Sequence, residues 1–229
     1  MLGRPCSIGT GDESQNFSVF TLIPAMPCSL IHEHRLSALG FQPIAGIDEA
    51  GRGPLAGPVV VAAVILPAHF VLSGLNDSKK LTAKARERLY SEITENRDIR
   101  WTAIAISPQE IDRLNILGAT HAGMRAVVEQ LSPRPIHALI DGLPVRDFPC
   151  PQTALVGGDG ISLSIAAASV IAKVERDRIM MENDRLYPEY GFAKHKGYPT
   201  REHFAKLRTH GPCPIHRRSF APVAQAELW

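Results

Sequence analysis

Gly46-Ile47-Asp48-Glu49-Ala50-Gly51-Arg52-Gly53-Pro54 sets two adjacent carboxylates between an apolar approach and a glycine turn. Pro43-Ile44-Ala45 leads in, and residues 55–66 that follow are almost all apolar and rich in valine. The pattern predicts strand, tight turn, strand. Asp48 and Glu49 then fall where a buried strand ends. Burying charge costs several kcal/mol unless a partner neutralises it. Arg52 is the nearest cation in sequence, and one guanidinium cannot match two carboxylates, whereas a divalent metal could. Gly51 and Gly53 lack Cβ, so their backbone amides can approach a ligand closely. Carboxylates, exposed amides and a cation together point to metal-assisted phosphate chemistry.

Outward from this stretch the chain alternates strands and helices. Residues 44–50 and 58–66 are short β-branched runs, and 99–106 alternates as a third strand. Between them, 74–81 reads as a polar loop and 82–96 as an amphipathic helix with Leu89 and Ile93 on one face. Ser107-Pro108-Gln109-Glu110 is a helix start, with a capping serine, proline at the first helical position and Glu110 at the third. That helix is expected to run towards Leu131, with Gly118 and Gly123 interrupting a straight rod. Two more apolar strands, 137–140 and 153–156, end at Asp141-Gly142 and Gly157-Gly158-Asp159-Gly160. The longest helical pattern covers 162–186: its first half is small and apolar, suited to packing on a sheet, and its second half is charged and partly solvated. A loop at 190–198, a helix at 200–210 and a tail carrying His216-Arg217-Arg218 complete the chain. The order gives an α/β fold, a mixed sheet with helices against it.

The 229 residues suffice for one sizeable core, and the net charge of +2 excludes a simple polycation. Cys6, Cys28, Cys150 and Cys213 show no C-x-x-C spacing and read as free thiols in a reducing cytoplasm. No apolar run reaches the roughly 18–20 residues of a membrane span, so no membrane partner is expected. Residues 1–40 differ from the rest: a polar, turn-rich start is followed by an apolar stretch broken by Pro24 and Pro27. They read as a poorly ordered N-terminal extension, leaving 41–229 as one catalytic domain with a C-terminal helical segment, most simply a monomer.

Asp48, Glu49, Asp141 and Asp159 share one context, each at the end of an apolar run beside glycine. Strand ends of an α/β sheet can converge on one crevice. Four such carboxylates make the oxygen environment expected for Mg²⁺ or Mn²⁺. Neighbours along a regular strand point to opposite faces, so Asp48 and Glu49 can share a site only where the strand ends or twists.

The run at 46–60, Asp77-Ser78-Lys79-Lys80-Leu81, Ile140-Asp141-Gly142, the segment 166–177 and the segment 190–200 together resemble the signature motifs of bacterial ribonuclease HII. The resemblance spans residues 44–223 in family order. It implies an RNase H-like five-stranded mixed sheet flanked by helices, with an appended C-terminal helical part. It further implies hydrolysis, assisted by a divalent metal, of the phosphodiester 5′ to ribonucleotides in RNA–DNA hybrids and to single ribonucleotides in duplex DNA. By position, the implied metal ligands and catalytic groups are Asp48, Glu49, Asp141 and Asp159. Gly51, Arg52 and Gly53 resemble the part that reads the 2′-hydroxyl, and Tyr198 the tyrosine that packs on the sugar beside the junction. One departure is Gly158, where the family usually carries lysine.

Lys79, Lys80, Lys173, Arg176, Lys194 and Lys196 are candidates for contacting the duplex backbone, with Lys79 and Lys173 foremost. Lys80 and Arg176 read more simply as solvated surface charges, and His195, His203, His210 and His216 as ordinary surface or core histidines. The C-terminal Gln225-Ala226-Glu227-Leu228-Trp229 is similar to the pentapeptide by which replication proteins bind the bacterial sliding clamp, Gln225, Leu228 and Trp229 matching. Two rival readings differ in class: a non-catalytic duplex-binding relative, which loss of a carboxylate would favour, and a related nuclease such as ribonuclease HIII, which needs a long N-terminal binding domain.

Overall fold

The computed structural model describes residues 28–72, 74–75 and 81–226. Five strands form one sheet in the order β3-β2-β1-β4-β5, comprising β1 (Ile44–Ala50), β2 (Val59–Ile65), β3 (Arg100–Ile106), β4 (His137–Asp141) and β5 (Gln152–Leu155). β1 to β3 pair antiparallel, whereas β4 runs parallel to β1 and β5 parallel to β4. The expected mixed five-stranded sheet is thus present, with the carboxylate-bearing strand at its centre. β2 is buried on both faces, which explains its unbroken apolar sequence.

Seven helices accompany the sheet among the described residues: α1 (Ile31–Ala38), α2 (Ala83–Thr94), α3 (Pro108–Gln130), α4 (Leu163–Leu186), α5 (Phe192–His195), α6 (Arg201–His210) and α7 (Ala221–Ala226). α4 lies on one face, where Ala166, Ala167, Ala168, Val170 and Ile171 pack against Val60, Ala62 and Val64. Small side chains let this helix come close: a Cβ on Gly46 would stand 2.1 Å from the Ser164 carbonyl carbon. α3 covers the other face through Met124, Val127 and Val128, against Ala45, Ile47 and Val61.

Two expectations are corrected here. The break in α3 is not at its glycines but at Asn115, with φ 57° and ψ 168°. Its side-chain Oδ1 accepts a hydrogen bond from the Gly118 amide at 3.0 Å and so starts the next helical stretch. Gly123 serves close packing instead, since a Cβ there would lie 2.7 Å from Val61 Cγ2. The second correction concerns residues 31–40. α1 is an ordered part of the domain, and its buried Glu33 accepts hydrogen bonds from Ser162 Oγ at 2.6 Å, Ser164 Oγ at 2.6 Å and the Ser164 amide at 3.0 Å. This carboxylate ties α1 to the start of α4, and Ser29 forms a bridge with Ser162. The signal was hard to see because α1 carries little apolar patterning of its own. Residues 1–27, Lys79, Lys80, Leu228 and Trp229 lie outside the described residues.

Candidate active site

The carboxylates gather where β1 and β4 end. Parallel pairing sets Ile47 beside Ile140, so Asp48 and Asp141 come next on neighbouring strands. Alternation turns both towards α4, because Ile47 and Ile140 belong to the α3-side core. Glu49 leaves β1 on the opposite face, towards α3. The two faces meet at the open strand end. A depression of about 230 Å³ there is lined by Asp48, Glu49, residues 50–53, Asp141, Ser169, Lys173 and Tyr198. A second, of about 130 Å³, shares Glu49, Arg52 and Asp141 and reaches Thr120, His121 and Met124 of α3. Regular strand geometry therefore brings Asp48 and Glu49 to one groove without a distortion between them.

Burial and repulsion between carboxylates dominate the electrostatics at Asp48. Asp48 is buried, and burial raises its pKa well above the carboxylate range, with Glu49 and then Asp141 adding repulsion. Hydrogen bonds from the Glu49 amide, at 2.7 Å, and from Ser169 oppose that rise. Arg52 bridges to Glu49 Oε1 at 3.3 Å but is half exposed. Lys173 lines the groove and is held by Asp177 at 2.6 Å; burial lowers its pKa, partly countered by that contact. Among the described residues no three His, Cys, Asp or Glu side chains are placed to grip an ion as they stand. The fit to a divalent cation lies instead in the donor chemistry: the hard carboxylate oxygens of Asp48, Glu49 and Asp141 line one groove, and a cation there would relieve the repulsion among them.

Asp159 sits elsewhere in detail. It is buried in a 3-10 turn, Gly158–Gly160, and its charge acts on the Cys28 thiol, which burial first, then Glu33 and Asp159, push up to about 12. Asp159 is not among the residues lining either depression. Its neighbour Gly158 is the link, donating its amide to Asp141 Oδ1 at 2.7 Å. The main chain thus supplies a hydrogen-bond donor where the family pattern has lysine.

The connection from β1 to β2 is a loop over residues 51–58 rather than the tight turn expected; its glycine turn at 51–53 lies at the groove edge, and Gly51 adopts a φ of +99° that L side chains rarely take. The structure gives three groups roles that the sequence did not show. Ser169 of α4 bonds Asp48; it was hidden within a run of small residues. Arg176, read as a solvated charge, is fully buried, its guanidinium 5.7 Å from the centre of the Tyr198 ring and bonded to the Ala56 and Pro58 carbonyls. Arg217 is fully buried beneath the same turn. Lys194 instead pairs with Glu202, and Lys196 donates to the Ala193 carbonyl.

The family described as Ribonuclease HII matches residues 45–223. The chain belongs to the ribonuclease HII family. A ribonuclease HII of Desulfitobacterium hafniense (strain DSM 10664 / DCB-2) is 58% identical over 196 residues, covering 86% of this chain and 75% of that relative. One from Xanthomonas axonopodis pv. citri is 51% identical over 207 residues, covering 90% and 84%. Among solved structures, the ribonuclease H2 of Pyrococcus horikoshii OT3 matches with a TM-score of 0.68 at 27% identity, covering 81% of this chain and 97% of that one. The RNase HII of the Archaeoglobus fulgidus PCNA complex matches with a TM-score of 0.65 at 29% identity, covering 76% and 93%. The fold is therefore RNase H-like, and the protein is a metal-dependent endonuclease of the ribonuclease H type. No finding favours the non-catalytic reading.

Proposed function

We propose that this ribonuclease HII family member cuts the phosphodiester 5′ to ribonucleotides in RNA–DNA hybrids and to single ribonucleotides in duplex DNA, using Mg²⁺ or Mn²⁺. The observation that carries this reading is the side-by-side exit of Asp48 and Asp141 into a groove edged by the Gly51-Arg52-Gly53 turn and Tyr198. Asp48, Glu49 and Asp141 would hold the cation, with Asp159 as the fourth member by family position. When bound, the cation supplies activation of the attacking water and stabilisation of the leaving 3′-oxygen. Ser169 and the Glu49 amide orient the Asp48 carboxylate, and the Gly158 amide orients Asp141. Lys173 is the cation placed to meet a backbone phosphate, and Lys79 joins it by sequence position. The turn amides read the 2′-hydroxyl, the group that separates RNA from DNA at the cut. Tyr198, 41% exposed above Arg176, offers its ring to the adjoining sugar. Incubating a duplex bearing one ribonucleotide with and without Mg²⁺ tests this: a single metal-dependent cut leaving 3′-hydroxyl and 5′-phosphate ends is expected. An uncut duplex would refute it.

The Archaeoglobus fulgidus relative was solved with PCNA. A clamp contact through Gln225, Leu228 and Trp229 is proposed for this chain too, supported by an exposed Gln225 at the end of α7 beside a small depression with Phe204 and Leu207. No helix among the described residues is long and apolar enough to cross a membrane. Action as a monomer in the cytoplasm completes the proposal.

A further inference from the structure

Arg217 is a fully buried cation whose hydrogen bonds all go to main-chain carbonyls of one loop. Its Nη2 donates to Gly51 O at 2.6 Å and Pro58 O at 3.1 Å, its Nη1 to Arg52 O at 2.9 Å and its Nε to Gly57 O at 2.9 Å. Arg176 completes the set, donating to Pro58 O at 3.0 Å and Ala56 O at 3.2 Å. Five carbonyls between residues 51 and 58 are thus gathered onto two adjacent guanidinium groups. Bringing two like charges together out of water is costly, and burial followed by the Arg176 charge lowers the Arg217 pKa to about 9. An anchor for the C-terminal segment alone would not need it: Leu55 and Gly57 already exchange main-chain hydrogen bonds with Arg217 and Ile215 at 2.8 Å.

The gain lies on the other side of the turn. In a planar trans peptide the C=O and the following N–H point in opposite directions. Turning the carbonyls of Gly51 and Arg52 inward therefore aims the amides of Arg52 and Gly53 outward, where residues 51–53 line the carboxylate groove. The room for this arrangement is built in. A Cβ on Gly51 would stand 2.0 Å from Arg176 Nε, and one on Gly57 would stand 2.2 Å from Met180 Sδ.

We infer that Arg217, supported by Arg176, is a positioning residue that fixes the glycine turn with its amides facing the substrate. The inference rests on the proposed reading of that turn as the substrate-facing element. Lysine at either position keeps the charge but cannot span several carbonyls. In the full-length protein, Arg217→Lys is expected to lower kcat/KM on a single-ribonucleotide duplex about tenfold or more, mainly through KM. The Mg²⁺ concentration for half-maximal rate should stay at the wild-type value. Hydrogen exchange at the Leu55 and Gly57 amides should quicken while the β2 amides keep wild-type protection. Arg176→Lys should shift both readouts the same way by less, having fewer carbonyls to release. Wild-type KM together with wild-type exchange at the turn overturns the inference. So does faster exchange throughout the sheet with equal loss on every measure, which marks a structural role only. Should Arg217→Lys fail to fold, Arg176→Lys decides by the same two readouts. If the wild-type protein cuts no ribonucleotide-bearing duplex, the functional reading fails, and turn-specific exchange then judges the positioning by itself.

Discussion

Asp48 and Asp141 differ from other acidic residues of the chain in what surrounds them, not in kind. Each emerges from a buried strand, and each is gripped by a backbone amide, that of Glu49 or Gly158. Replacing either carboxylate by its amide keeps size and removes charge. Asp48→Asn and Asp141→Asn are therefore expected to lower cleavage of a single-ribonucleotide duplex by about a thousandfold or more while the protein stays folded. For Asp48→Asn the melting temperature should hold or rise, since the substitution removes a charge that burial, Glu49 and Asp141 all disfavour. Asp159→Asn should cost less, because Asp159 does not line the groove. Gly53 allows a cleaner test of substrate approach. A Cβ there meets only Tyr198 Cε1, at 3.8 Å, so a side chain is accommodated by the fold and projects beside the tyrosine. Gly53→Val should keep the wild-type melting temperature and lose roughly tenfold or more in activity at a single ribonucleotide. Full activity in that variant would exclude the turn as the reading element.

At the scale of elements, α6 and the segment that follows it carry a hydrogen-bonded histidine chain that holds the Tyr198 loop. The Tyr198 carbonyl can only accept, so the His203 Nδ1 at 3.0 Å bears the hydrogen. A neutral His203 must then accept at Nε2, and His216 Nε2 donates to it across 3.0 Å. His216 Nδ1 in turn accepts from the Cys213 amide at 3.0 Å and from its thiol. The whole chain requires neutral imidazoles. Burial first lowers His203 to about 4, and burial first, then His203, lowers His216 to about 4, from an ordinary 6.5. The unfolded chain takes up these protons near pH 6.5 and the folded one only near 4. Their contribution to stability is complete above about 6.5 and is lost as the pH falls towards 4. The raised Asp48 acts in the opposite sense over the acid range, so a variant isolates the histidine term. His216→Gln should flatten the acid-side fall of the melting temperature by roughly 5 °C relative to wild type. Parallel melting curves from pH 7 to 4 would show that the histidines do not govern it.

The whole molecule joins a rigid sheet to a C-terminal segment that returns beneath the site. Residues 51–58 are held from below by Arg217, and α7 packs Val223 and Ala226 against Leu55 and Leu207. Gln225 is exposed at this packed end. A peptide of residues 220–229 is expected to bind the bacterial sliding clamp at micromolar concentration, and Leu228→Ala with Trp229→Ala should remove binding at least tenfold. Cleavage of short duplexes should be unchanged in that double variant, because tethering raises local concentration without touching the groove. No binding by the intact protein at high micromolar clamp would end the proposal.

The sequence by itself determined the elements and most of the groove. Strand and helix periods are local properties, so β1, β2, α2 and α4 were legible from the spacing of apolar residues, and the sequence motifs carried Asp48, Glu49, Asp141 and the glycine turn. It was silent where a residue's role depends on what lies across the fold. Arg176 looks like its charged neighbours in an amphipathic second half of a helix, yet the chain folds the 51–58 loop over it and removes it from water. Arg217 sits in a polar tail, and its four carbonyl partners lie roughly 160 residues earlier. Glu33 belongs to a segment without apolar rhythm and is fixed by serines at the start of α4. The strand alternation that seemed to part Asp48 from Glu49 was real, but only the tertiary structure showed the sheet ending there, so that its two faces open into one groove.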